Sequence, residues 1–209
     1  GLDPGETSMN PNAPAPALRI AYTSGAGVAG LSNRGIGNEG MSLVGGQVYE
    51  GYVIVLAPNG GSLYVGANDY TTSTLLASQT IPLTASATWQ QVNFSFTPSA
   101  STVCDAIVPG SDNTVDCGNM GPNPGHICVK CGGEFQVGLN APGSVHVGYV
   151  YFSPGEWGRV PGLPVLKSAA DTMQSMGITI IRQGGTVSQS FRWKDWRGAP
   201  WTRGSMQHV

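Results

Sequence analysis

Between Leu18 and Phe152 apolar side chains keep returning at alternate positions, in short runs broken by Gly, Pro, Asn and Asp. LRIAYTS, QVYEGYVIVLAP, SLYVGAND, TLLASQTIPL, WQQVNFSFTP, GEFQVGL and SVHVGYVYF are the clearest runs. In WQQVNFSFTP, Val92, Phe94 and Phe96 share one face, while Gln91, Asn93 and Ser95 share the other. A period of two with one wet side is the pattern of antiparallel strands lying on a core. Its repetition at regular spacing predicts two packed sheets. The fold expected is mainly β, a jelly-roll-like antiparallel β-sandwich over residues 18–158. An extended arm at 1–17, whose PNAPAPA has no periodicity, precedes it.

After SPGEWGRVPGLP the period changes. Val165, Ala169, Met173 and Met176 follow helical spacing, with Leu166 and Ala170 alongside. Pro164 suits a first turn and Gly177 a helix C-cap. The run from Ile178 to Ile181 is continuously apolar and predicts a strand buried on both faces, as in a parallel α/β sheet. Residues 159–209 therefore read as a short α/β unit. Ile178, Ile180 and Ile181 would form a strand whose open edges recruit strands of another chain.

Charged residues make up 11% of the chain and the net charge is −2, which argues against nucleic acid or anionic membrane as partner. No apolar stretch approaches the ~18 residues of a membrane span. The 31 glycines and 15 prolines are scattered through apolar runs and mark turns. Cys104, Cys117, Cys128 and Cys131 crowd into a stretch rich in Gly, Asn, Pro and Asp. Such an even, local set predicts two disulfides and an oxidising compartment. The sequon Asn93-Phe94-Ser95 fits N-glycosylation there. A start at Gly1, without methionine or a signal-like run, agrees with a processed, secreted product. Cys128 and Cys131 form a CxxC, but a structural zinc site normally shows two such pairs. Disulfides are the better reading, and no metal is expected. Three pairings are open; a nested Cys104–Cys131 with Cys117–Cys128 is preferred, because bridging a CxxC is strained.

Little in the chain carries reaction chemistry. A retaining glycosidase needs two carboxyls ~5 Å apart, and the acids here are scattered. Asn38-Glu39 sits in a glycine-rich loop of the sandwich, and Glu156 and Asp195 have no partner in sequence. His126, His146 and His208 are isolated from one another, and RQGGTVS lacks the lysine and helix of a phosphate cradle. No catalytic residue and no cofactor is expected. Sugar rings stack on aromatic faces, and Tyr49, Tyr52, Tyr64, Tyr70 and Trp89 lie in the sandwich. Strand aromatics mostly fill cores. Tyr64 and Tyr70, near turn residues, are the stacking candidates. FRWKDWRGAPWTR sets three tryptophans among four basic residues, a run too short to bind nucleic acid or membrane.

Taken in order, SMNPNAPAPALRI, GVAGLSNRGIGNEGMSLVGGQVYEGYVIVL, WQQVNFSFTPSA and GSVHVGYVYFSP resemble a known family. They look like the sandwich region of the α-L-arabinofuranosidases of glycoside hydrolase family 51, itself similar to family-4/9 carbohydrate-binding modules. In that family the sandwich runs into a catalytic (β/α)8 barrel. LPVLKSAADTMQSMGITIIRQGG is similar to the first barrel helix and strand, and GGTVSQSFRWKDWRGAPWTR to the family's next stretch, an aromatic-Lys-Asp segment leading to a G-P turn. The resemblance places Arg182, Gly184, Gly185 and Thr186 in the first barrel loop. Here the family's Arg-x-Pro-Gly-Gly is one residue shorter and lacks its proline, and Thr186 stands where Asn or Cys is usual. The family's catalytic glutamates lie on later strands. A barrel takes ~250 residues, whereas about 50 follow Val160.

The cysteine-rich loop, the sequon and the few residues after Val160 together point to a secreted protein that is not catalytic by itself. Its expected role is a self-associating extracellular subunit, in a filament or matrix, with glycan binding. Two other readings stand beside it. One is the N-terminal fragment of an α-L-arabinofuranosidase acting on arabinose-containing glycans, its remaining barrel on another chain. The other is a stand-alone carbohydrate-binding module. Expected partners are other copies of the chain or a barrel chain, and glycans.

Overall fold

The computed structural model of the protein describes residues 17–35, 38–107, 128–163 and 165–180, the side chains at 106–107 and 128–129 aside. Ten strands run through it: β1 Leu18–Tyr22, β2 Ala29–Asn33, β3 Tyr49–Leu56, β4 Gly61–Asp69, β5 Thr74–Leu83, β6 Gln90–Phe96, β7 Cys104–Ile107, β8 Cys128–Cys131, β9 Gly133–Leu139 and β10 Gly143–Pro154. One helix, α1 Lys167–Ser175, comes after a short 3-10 turn at Glu156–Gly158.

Eight strands form two antiparallel four-stranded sheets, ordered β1-β10-β3-β6 and β2-β9-β4-β5. Apart from the β4–β5 hairpin and the β7–β8 insertion, successive strands alternate between the sheets, so the chain winds as a jelly roll. The expected sandwich is the one observed. Alternation decides which side of each strand is wet. From β3, Val53 and Val55 point inward; from β9, Phe135, Val137 and Leu139; from β10, Val145 and Val147. Phe94 and Phe96 of β6 join them, as their spacing predicts. The middle of the core is aromatic. Phe135 and Phe152 stack at 4.5 Å between centroids, Phe94 lies 5.5 Å from Phe135, and Tyr49 lies 5.5 Å from Phe152. These rings tie both sheets together, because Phe135 belongs to one and the others to its partner.

Residues 104–131 are inserted between β6 and β9. Their described ends pair as the β7–β8 hairpin, with Cys104 directly opposite Cys131. Those two cysteines are disulfide-bonded, with Cα atoms 4.0 Å apart. Cys117 lies outside the described residues.

Past the sandwich, α1 ends in a Schellman motif. Gly177 takes φ 70°, its N–H donates to Gln174 O, and the Ile178 N–H donates to Met173 O. Glycine adopts that left-handed conformation without penalty, which ends the helix where the sequence predicts. Over the described residues 178–180 the expected strand does not form. Residues 178–180 carry no ladder, and Ile180 is 85% exposed. A strand's N–H and C=O groups need a neighbouring strand, and none of the described residues supplies one here. Of the expected α/β unit, the described residues contain the helix. The rest of the expected arm and the residues Ile181, Arg182, Gly184, Gly185 and Thr186 lie outside the described residues.

Candidate functional site

The two outward faces of the sandwich differ in chemistry. On the β2-β9-β4-β5 sheet, Arg34 Nε donates to Glu134 Oε2 at 2.7 Å, and Gln136 Nε2 donates to Glu134 Oε1 at 2.8 Å. Glu134 is only 5% exposed. Burial works to raise its pKa, but hydrogen bonds from Arg34, Gln136 and Ser32, with the charge of Arg34, outweigh it and leave the pKa lowered. The same guanidinium lies 4.1 Å above the centre of the Tyr70 ring. Nearby, the Asp69 carboxylate accepts from the Thr71 hydroxyl and from the N–H groups of Thr71 and Thr72. The Thr71 hydroxyl leads in holding the Asp69 pKa below the usual value. This face is polar, but its groups satisfy one another.

Both tyrosines expected to stack on sugar belong to this face, where Tyr64 is buried and Tyr70 half-buried. Tyr64 is 7% exposed. It lies across Gly66, where an added Cβ would stand 2.5 Å from the Tyr64 hydroxyl oxygen. A strand glycine leaves a gap that a neighbouring ring can fill, and Ser78 hydrogen-bonds the hydroxyl. Tyr64 is therefore packed structure and not the expected platform. One face of Tyr70 is taken by Arg34.

The outward face of the β1-β10-β3-β6 sheet is organised differently. Tyr52 of β3 stands opposite Tyr151 of β10 on one side and opposite Asn93 of β6 on the other. Tyr52 and Tyr151 stack at 5.2 Å between centroids, and Tyr52 and Tyr149 at 6.0 Å. A register shift between Val147 and Tyr149 sets this arrangement. It turns Tyr149 and Tyr151 outward while Val150 and Phe152 pack against the core. Burial, then the neighbouring Tyr149 and Tyr151, raise the Tyr52 pKa. Farther along β3 and β10 this face carries the buried residues Ile54, Leu56 and His146.

Toward β6 it opens into a cavity of about 530 Å³, lined by Tyr52 and Tyr151 together with Glu50, Asn93, Ser95 and Arg159, with Gln79, Gly51 and Phe94 completing the wall. That volume lies in the ~300–1,000 Å³ range of small-molecule sites. Arg159 makes an ion pair with Glu50, and its Nε is buried without a hydrogen-bond partner among the described residues. Ser95 N–H donates to Gln79 Oε1 at 3.3 Å. Rings set among amide, hydroxyl and guanidinium groups suit a ligand with both C–H faces and hydroxyls. Among the described residues Glu50 is the cavity's single carboxylate, so they do not build the two-carboxyl geometry of glycoside hydrolysis here. Among the described residues, no three His, Cys, Asp or Glu side chains gather as a metal site, and no helix is long and apolar enough to cross a membrane.

A second cavity, about 380 Å³, opens between the sheets beside β2 and is lined mainly by Leu31, Met41, Phe135, Val137, Val150 and Phe152. It is apolar apart from Ser32 and Asn33.

The sequence reading passed over Tyr149 and Tyr151 and treated Tyr52 as general strand content. The signal was present in the alternation of GYVYF, where Tyr149 and Tyr151 share a face opposite Val150 and Phe152.

No protein-family model matches the chain, and no curated protein matches it. Solved structures do. An arabinose-bound α-L-arabinofuranosidase, MgGH51, superposes with a TM-score of 0.67 at 19% identity, over 97% of this chain and 30% of that one. At that identity the likeness establishes the fold: this chain is built like one stretch of that enzyme. The chain spans less than a third of the enzyme's length. A structure described as "CBM4 structure and function" matches over 66% of this chain and 84% of its own, at 16% identity and a TM-score of 0.41.

Proposed function

We propose that the protein is a non-catalytic glycan-binding sandwich of the kind attached to family-51 arabinofuranosidases, acting outside the cell. The observation that carries this reading is the stack of Tyr52, Tyr149 and Tyr151 at the edge of the 530 Å³ cavity. Pyranose and furanose rings have apolar C–H faces that lie on aromatic rings. Their hydroxyls need the donors and acceptors that Asn93, Ser95, Glu50 and Arg159 bring to the cavity wall. The shared fold with an arabinofuranosidase supports the same class of ligand, and the Cys104–Cys131 bridge suits an oxidising compartment.

Calorimetric titration with neutral arabino- and xylo-oligosaccharides tests the reading. Tyr52→Ala weakens binding by ~0.5–1.5 kcal/mol, the worth of one stacked ring contact, or roughly 2- to 12-fold. Tyr64→Phe leaves it unchanged. Absence of binding to any neutral oligosaccharide, or full affinity in Tyr52→Ala and Tyr151→Ala, overturns the proposal.

A second reading rests on a separate observation. Val165, Leu166, Met173, Met176, Ile178 and Ile180 are large, apolar and exposed along one segment. Under this reading the segment docks on another polypeptide, either a second copy or a chain carrying a barrel. The two readings use different surfaces and are compatible.

A further inference from the structure

The cavity contains the sequon asparagine, and its position there has a consequence for what fills the site. Asn93 and Ser95 point outward from β6, whereas Phe94 between them is buried in the core. β6 is an edge strand of its sheet, so Asn93 is exposed with no strand beyond it among the described residues. It stands opposite Tyr52 in register. Directly opposed residues of an antiparallel pair have Cβ atoms roughly 5 Å apart. Its amide oxygen has a partner on the same strand. Gln91 Nε2 donates to Asn93 Oδ1 at 2.8 Å. That bond leaves Nδ2 unengaged by Gln91, and Asn93 and Ser95 both line the cavity.

We propose that Asn93 is N-glycosylated and that its first N-acetylglucosamine lies in the cavity against Tyr52 and Tyr151, occupying the glycan site in cis. The proposal rests on the reading of this cavity as a sugar site, and adds that the chain supplies its own occupant. In the modification, Nδ2 bonds to the anomeric carbon of a polyisoprenyl-diphosphate oligosaccharide. The bond from that carbon to phosphate breaks, the lipid diphosphate leaves, and Nδ2 loses one proton. The Oδ1 atom is untouched, so the bond from Gln91 survives. A sugar tethered at Nδ2 acts at an effective concentration in the ~mM range. It therefore competes with soluble glycans for the same rings. The unmodified chain has an open site and the modified chain a filled one.

The test compares the full chain secreted from a eukaryotic host with the same chain made in a bacterial periplasm, which leaves Asn93 bare. Intact mass gives occupancy of Asn93. The attached glycan is trimmed to one N-acetylglucosamine and its carbon-bound protons are read by NMR with labelled sugar. Docking predicts upfield displacement of those protons by the tyrosine rings, relative to the same sugar on an unfolded peptide, and loss of that displacement in Tyr52→Ala. Tyr52 lies outside the core, and the comparison with the peptide needs no variant. Binding of arabino- or xylo-oligosaccharide to the bare chain, lost in the glycosylated one, is the second expected result. An unoccupied Asn93, or an occupied one with unshifted sugar protons, overturns the inference. If the bare chain binds no oligosaccharide while the attached sugar is shifted, the proposed function falls and the docked glycan stands.

Discussion

Removing the Cys104–Cys131 bridge tests how the insertion is held. The bridge spans a sequence separation of 27. Closing a loop of that length in the unfolded chain costs ~3.5 kcal/mol at 25 °C in the chain-entropy treatment, and the native protein is stabilised by that amount when the bond is present. Cys104→Ala with Cys131→Ala should therefore lower the urea midpoint by about 1.8 M, given an m-value of ~2 kcal/mol/M. The sandwich itself should persist. The hairpin ends are tied independently of the sulfurs: Cys131 N–H donates to Glu39 O, Gly132 N–H to Val103 O, and Thr102 N–H to Leu43 O. Inside, buried Thr102 accepts from the Leu43 N–H at 2.9 Å and donates to Met41 O at 3.1 Å. Circular dichroism unchanged from wild type, with the midpoint lowered as stated, is the expected result. An unmoved midpoint with the same m-value would show that the unfolded chain does not gain the predicted freedom. The entropic account of this bridge would then be wrong.

Two further outcomes concern groups away from the bridge. Glu134 and Asp69 have pKa values lowered on folding from 4.5 and 3.8, so the stability they contribute is complete above those values and is lost as the pH falls through the folded ones. Urea midpoints should hold level above pH 4.5 and drop below it, and Glu134→Gln should lower the plateau and shallow the drop; parallel profiles for the two proteins would exclude Glu134 as the cause. Ile180→Asp should leave the unfolding midpoint within experimental error, because Ile180 is 85% exposed, while abolishing any self-association seen by light scattering; an assembly that survives the substitution removes the docking reading of this segment.

Strands that carry a full set of inward apolar residues were legible in the sequence. TLLASQTIPL and GEFQVGL coincide with β5 and β9 residue for residue. β2 was not legible. Its sequence, AGLSN, offers a single large apolar side chain, and it holds its place by pairing with β9 from Ala29↔Leu139 to Asn33↔Phe135. That information is in the partner strand and not in the segment. The β7–β8 hairpin was hidden for a similar reason, since its ends are joined by a bond between residues 27 apart. At 178–181 the error ran the other way. A strand-like composition gave no strand in the described residues, because propensity does not supply hydrogen-bond partners. The site shows the same division. That Asn93 faces outward could be read from alternation within β6, but its place beside Tyr52 depends on the β3–β6 register, which no local pattern contains.

The contrast between the two outward faces favours one of them as the place of the proposed site. On the β2-β9-β4-β5 side, each of the polar groups Arg34, Glu134 and Asp69 is met by another from its surroundings: Arg34 by Glu134, Glu134 by Gln136, Asp69 by Thr71. A ligand would have to displace contacts already made, so binding there gains little. On the opposite side, Glu50 and Arg159 also satisfy each other, but Arg159 retains a buried N–H without a described partner. The tyrosines beside it stack on one another and leave a 530 Å³ space unfilled. Under the proposed function, a sugar ring fills that space against the aromatic wall. If Asn93 carries the proposed glycan, the attached sugar fills the same space, and the modification state of Asn93 then sets whether the face stays available to other glycans.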